Sequence, residues 1–233
     1  MSLYLILNIS VVIIPLLFSF EKKIRFYEKW KYLIPSIIIV GVIYIGWDVL
    51  SLRAKVWYFN SAHTAGINLL GLPIEEWLFF ITVPYSCIFI YESLGFYLSK
   101  HFKHASFSGR QRVIPNIIVV SVLGAIYFSD QAYTFTVLIS LASFLLISYF
   151  FYGELIRSKL YWIFIGITFL PFLMVNYILT SVPIVEYNSN AIWGVRFLSI
   201  PLEDFIYSFS MLSFYLLIYT TFKSKWQRTK KQL

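Results

Sequence analysis

Seven apolar runs, broken by clusters of Lys, Arg and turn-forming residues, organise this chain. They cover roughly 2–20, 33–50, 75–98, 113–129, 133–152, 160–182 and 201–222. A helix needs about 20 apolar residues to cross a bilayer, so each run spans it or nearly does. The pattern predicts an all-α integral membrane protein of seven transmembrane helices. Composition agrees: the chain is 59% hydrophobic, only 13% charged, and has a mean hydropathy of +0.75. The N-terminal Met1-Ser2-Leu3-Tyr4-Leu5-Ile6 lacks a basic stretch and no small-residue cleavage site follows, so the first run reads as a retained helix.

Charge then sets an orientation. The formal net charge is +8, but the basic residues sit between apolar runs, where they signal topology and not nucleic acid. Segments 21–32, 99–112, 153–159 and 223–233 carry 16 Lys and Arg, while Arg53, Lys55 and Arg196 make 3 on the other side. This alternation puts the N-terminus outside and the C-terminus in the cytoplasm, and the cell membrane is the expected location. Cys87 lies inside an apolar run and reads as a small buried hydrophobe.

Two runs open on the same acidic phrase. Gly71-Leu72-Pro73-Ile74-Glu75-Glu76-Trp77 and Ser199-Ile200-Pro201-Leu202-Glu203-Asp204-Phe205 lie 128 residues apart. At that offset Asp48 meets Asn176, Phe59 meets Tyr187, and Asn60-Ser61 meets Asn188-Ser189. Such self-similarity marks a duplication. Helices 1–3 then repeat as helices 5–7 in a parallel internal repeat, with helix 4 as linker. The expected organisation is a first three-helix repeat at 1–98, a basic loop and linker helix at 99–132, a second repeat at 133–222, and a basic cytoplasmic tail at 223–233.

Proline and acids at a helix start are an ordinary cap, because Pro fits the first turn and acids suit the dipole. Two copies in register, with Asp48 preceding one of them, point instead to a site, since acids at a membrane edge are costly. Both phrases fall on the outer side, after the long loops 51–73 and 183–200. Adjacent helix positions lie about 100° apart, so one acid of each pair can face a given partner. Pairing Glu75 with Glu203 would let one carboxyl hold a proton while the other stays a base. Glu75, Glu76, Glu203, Asp204 and Asp48 are the candidate catalytic groups. Trp47, Trp57, Phe79, Asn176, Trp193 and Tyr207 are candidates to line a substrate pocket. Glu92, about 25 Å further along its helix, falls outside the cluster, and Arg196 is a possible counter-ion for Glu203 or Asp204.

Other chemistries lack their residues. There is no dinucleotide fingerprint and no phosphate loop. His63, His101 and His104 are the three histidines, two of them in a basic loop, so no metal site is expected. The last apolar run has no lysine before Lys223 to anchor retinal.

Pro73-Ile74-Glu75-Glu76 and Pro201-Leu202-Glu203-Asp204 resemble the P-x-E-[ED] signature of the small membrane lycopene cyclases. Gly46-Trp47-Asp48, and Asn176 with Ile178-Leu179-Thr180, are similar to the motifs flanking it. The likeness covers about 45–95 and 170–215 and matches a fused form, in which two subunit-like halves share one chain and need no partner half. It implies a lipophilic carotenoid substrate such as lycopene, taken from the bilayer, and no cofactor. Ring closure would be an isomerisation: an acid protonates C2, the C5=C6 bond attacks the C1 cation, and a base removes a proton from C6 to give a β-ionone ring. A small proton-coupled transporter and a non-catalytic carotenoid- or lipid-binding protein are the alternatives.

Overall fold

A computed structural model describes residues 2–102 and 113–232, with side chains described through 98 and from 113 to 227. The side chains of Lys100, His101, Lys103, His104, Arg110 and Arg112 in the expected basic loop, and of Arg228, Lys230 and Lys231 in the tail, lie outside these. Eight α-helices occur among the described residues: α1 (Leu3–Phe18), α2 (Trp30–Arg53), α3 (Ile74–Phe102), α4 (Ile114–Tyr127), α5 (Ala132–Phe151), α6 (Gly153–Arg157), α7 (Lys159–Ser181) and α8 (Leu202–Gln232). Five of them are long and apolar enough to cross a membrane: α2, α3, α5, α7 and α8.

The expected spans at 2–20 and 113–129 are shorter than predicted. Helix α1 has 16 residues and α4 has 14. At 1.5 Å per residue these reach about 24 Å and about 21 Å, against a hydrocarbon core of about 30 Å. The last helix runs on through Gln232, because the Lys, Arg and Gln of the expected tail are good helix formers.

The fold is mostly helical, as expected, and short strands are added to it in the loops. The two long loops carry six short strands: β1 (Trp57–Phe59), β2 (Asn68–Leu69), β3 (Leu72–Pro73), β4 (Val185–Tyr187), β5 (Arg196–Phe197) and β6 (Ile200–Pro201). Near the membrane, non-helical backbone must find partners within the protein. Here β2 pairs β3, β5 pairs β6, and β1 pairs β4, all antiparallel. Leu70 and Leu198 take left-handed φ of 53° and 56° at the two hairpin turns, with Gly71 at 91° completing the first. The β1–β4 ladder pairs Trp57 with Tyr187 and Phe59 with Val185, so positions 128 apart exchange partners about Tyr58–Glu186.

Helix packing follows the same exchange. Helix α1 lies on α3 and α5 on α8, whereas α2 crosses to α8 and α7 crosses to α3. Polar side chains join the helices within the apolar interior. Buried Asn8 of α1 donates to the Glu75 carbonyl at 3.1 Å and accepts from Thr82 at 2.7 Å. Ser36 of α2 donates to the Tyr215 carbonyl at 2.7 Å, and Tyr215 donates to the Phe80 carbonyl at 3.1 Å. Phe80, Phe144, Phe164, Tyr161 and Tyr215 fill the core around these bonds.

Glu92 ties the opposite end together. It is 6% exposed and meets Lys29 Nζ at 2.7 Å, Lys223 Nζ, and the Tyr219 hydroxyl at 2.8 Å. It thus joins α3 to α8 and to the start of α2, confirming that it stands apart from the other acids. Removing one partner of a fully buried ion pair costs about 3–5 kcal/mol. Both lysines keep some contact with solvent, so Glu92→Ala should cost about 2–3 kcal/mol. The expected result is a lower thermal unfolding midpoint for the detergent-solubilised protein, with Glu92→Gln intermediate.

Candidate active site

The acidic phrases start α3 and α8, each straight after a two-residue strand, β3 or β6. Proline ends each strand, so the acids fall in the first helical turn, where free backbone N–H groups favour negative charge. Within each pair the two acids turn to different tasks.

Glu75 and Glu203 hold the loops. Glu75 Oε1 accepts from the Ala65 backbone N–H at 2.6 Å and from the Ser2 hydroxyl. Glu203 Oε1 accepts from the Trp193 backbone N–H at 2.6 Å and from Thr134 at 2.6 Å. Ala65 and Trp193 are again 128 apart. No hydrogen bond joins Glu75 to Glu203 among the described residues, and neither lines the central cavity. The expected facing of these two carboxyls is therefore not the arrangement found. The loops are what turn them away, by presenting backbone N–H groups for which the carboxylates serve as acceptors.

Glu76, Asp204 and Asp48 instead share one cavity of about 350 Å³ among mostly apolar walls. Glu76 Oε2 accepts from the Tyr4 hydroxyl of α1. Asp204 Oδ1 accepts from the Tyr133 hydroxyl of α5 at 2.7 Å. The matching halves then diverge. Asp48 of α2 lies within hydrogen-bonding reach of the Glu76 and Trp57 side chains. Its Oδ2 is buried without a hydrogen-bond partner. Asp204 has no such acid beside it, because Asn176 occupies the position matching Asp48. It accepts instead from Tyr187, at 3.0 Å to each of its oxygens. Burial, and then the Asp204 carboxylate, hold the Tyr187 phenol well above its ordinary pKa, so it remains a donor.

Of the expected pocket residues, Trp57, Phe79, Asn176 and Tyr207 line the cavity. Trp47 sits one layer behind, 5.1 Å from the Tyr207 ring centre. Trp193 is half exposed and packs on Phe128. Arg196 donates to the Ser199 carbonyl at 2.7 Å and lies over the Tyr187 ring, making no salt bridge to Glu203 or Asp204. Tyr4 and Tyr133 were not expected in the site. Their signal was a tyrosine at matching places in the first helix of each half, 129 residues apart. Among the described residues, no group of three His, Cys, Asp or Glu side chains is placed to hold a metal ion.

A family model described as lycopene cyclase matches residues 1–94 and 130–222. The chain belongs to the lycopene cyclase family. The two matched segments each hold one acidic phrase, and the stretch left between them carries α4. No curated protein and no solved structure shows significant similarity to the chain. Membership supports a lycopene cyclase role, a carotenoid substrate and a membrane setting.

The anchoring role of Glu75 and Glu203 has a direct readout. A hydrogen bond to a charged group contributes about 1.5–3 kcal/mol. Glu75→Ala should raise amide exchange at Ala65 about tenfold or more, and Glu203→Ala should do the same at Trp193, while α2 and α7 stay protected.

Proposed function

We propose that this protein closes β-ionone rings on a linear carotenoid by proton addition and removal, with Asp48, Glu76 and Asp204 as the reacting acids. One observation carries the reading: helices α2, α3 and α8 bring three carboxyls to a single apolar cavity. Hydrogen-bond chemistry divides the roles. Two carboxyls in contact need a proton between them, since a carboxylate can only accept. Asp48 and Glu76 therefore hold the proton to be delivered. Asp204 receives two phenol donors, which suit a charged acceptor, and serves as the base.

The cycle balances without a redox partner. The Asp48–Glu76 pair delivers a proton to C2, and a cation forms at C1. The C5=C6 electrons close the C1–C6 bond and move the cation to C5. Asp204 takes the C6 proton, and C5=C6 re-forms within the ring. Return of that proton to the Asp48–Glu76 pair resets the site. Trp57, Phe79 and Tyr207 offer ring faces to the cation, and the apolar walls keep out water that would quench it. Glu75 and Glu203 position the loops that cover the site.

The architecture behind this is a duplicated three-helix unit, 1–98 and 133–222, joined by 99–132 and followed by the tail at 223–233. The two units are related by an axis along the membrane normal. Exchange of partners 128 apart in the β1–β4 ladder supports that relation. Seven crossings, an outer N-terminus and a cytoplasmic C-terminus in the cell membrane complete it, with α1 and α4 as short spans.

Expression in lycopene-accumulating cells with chromatography of the pigments is the test. Wild type should yield ring-closed carotenoid. Asp48→Asn, Glu76→Gln and Asp204→Asn should each lower conversion by about 10²–10⁴-fold, the range for general acid–base groups. Tyr187→Phe should lower it about tenfold and Glu75→Gln less. Normal conversion by the Glu76→Gln, Asp204→Asn double variant would reject the assignment. Proton flux into liposomes without pigment conversion would favour a transporter.

A further inference from the structure

From the lining of the cavity we infer that the substrate end is admitted through one lateral portal between α1 and α7, and that the equivalent portal between α2 and α5 is sealed by Tyr44, Trp47 and Tyr207. The inference rests on the cyclase reading and adds how the polyene reaches the acids.

The two sides of the cavity differ. Helix α1 contributes Ser10, Val11, Ile14 and Pro15, and α7 contributes Pro171, Met174 and Val175, while α2 and α5 contribute only Asp48 and Tyr133. Ile14 is 61% exposed and Met174 is 70% exposed, yet both line the cavity, so the wall reaches lipid there. Nearer the acidic end the same seam is closed by Tyr4 and Leu7 packed against Leu179. The opening thus lies at mid-helix depth, bordered by Pro15 and Pro171, which remove backbone donors and weaken straight helical packing.

On the other seam the matching positions are filled. Tyr44, Trp47 and Tyr207 form a cluster with ring centres 5.1–5.5 Å apart. The Tyr44 hydroxyl lies 3.0 Å from Ser140 Oγ, which donates to Ser210 Oγ at 3.1 Å, binding α2, α5 and α8 together. At an offset of 128 the open side carries Phe172, Val175 and Phe79 instead, which are smaller or lack the hydroxyl. Pro171 has Ile43 as its counterpart at that offset, and Pro15 has Phe144 at the 129-residue offset that relates Tyr4 to Tyr133.

A cavity of about 350 Å³ lies at the low end of ligand pockets. It accommodates one end of a long polyene, while the remainder stays in the bilayer beyond Ile14 and Met174. A second end can react only after the first has withdrawn and the molecule has turned round.

The test is an Ile14→Trp, Met174→Trp double variant. It should lose at least tenfold in ring formation. Gly46→Trp, at the position matching Met174 on the sealed side, should keep wild-type conversion, since nothing lies within 4 Å of a side-chain carbon placed there. Ile14→Leu, Met174→Leu should also keep it, which separates blockage from misfolding. Polyene retained on the purified protein, read by visible absorption, reports the portal without turnover. Wild type should retain polyene, as lycopene or its ring-closed product, and the double Trp variant should retain none. If wild type retains lycopene without cyclising it, the cyclase reading fails and the portal stands. Equal retention by wild type and the double Trp variant, or equal loss in Gly46→Trp, overturns the portal.

Discussion

A carboxyl in a hydrocarbon slab must be compensated, and this fold is arranged around doing so four times with two kinds of partner. Backbone N–H groups of Ala65 and Trp193 take Glu75 and Glu203, and the phenols of Tyr4 and Tyr133 take Glu76 and Asp204. An unpartnered charge there would cost far more than any one packing contact returns. The loops therefore have to fold back over the helix starts, and the hairpins, the left-handed leucines and the β1–β4 ladder are the geometry by which they do it. The first helix of each half has to lie against the third for the same reason, because the phenol comes from α1 or α5. Loop closure, helix pairing and the site are one set of bonds.

Much of this was legible along the chain. Apolar runs placed the helices to within a few residues, apart from the far end of the last, which runs on through Gln232, and the repeated phrase located the acids and the likeness of their surroundings. The division of labour inside each acidic pair was not legible. Glu75 and Glu76 differ by about 100° of helix rotation, and the direction of the cavity depends on how α3 meets α1 and α7. What turns Glu75 outward is a backbone N–H of a loop, which carries no side-chain signature at all. Tyr187 entered the sequence reading only as the repeat counterpart of Phe59. Its part emerges only when β4 pairs with β1 and swings its hydroxyl to Asp204. The strands themselves were hidden, since two- and three-residue ladders leave too short a pattern to read.

On the proposed reading, duplication gives the site its two-sided form, and the acid–base cycle needs the two sides to be unlike. Identical halves would put two equal carboxyls across the cavity, with no preference for where the proton rests. Two substitutions break the tie. Asp48 faces Glu76 where the other half has Asn176, adding an oxygen that can share a proton. Tyr187 faces Asp204 where the other half has Phe59, adding a donor that favours the charged form. Each change alone would tilt the balance. Together they act in the same direction, because one half gains a second acid and the other gains a second phenol.

The same logic extends to the walls. A two-fold chamber with both seams open would be a tunnel, through which lipid chains or water could thread past a carbocation. Filling one seam with Tyr44, Trp47 and Tyr207 turns the tunnel into a pouch. The filling rings are joined by the Ser140 and Ser210 hydroxyls, which hold three helices together inside the bilayer, where apolar contact alone gives little preference for protein over lipid. Trp47 and Asp48 are adjacent on α2, so in the proposed scheme one helix carries both departures from symmetry, with the ring closing the seam and the acid beside it loading the proton. That adjacency makes the chemical and the steric asymmetry inseparable. A shift of α2 that opened the seam would also move Asp48 away from Glu76.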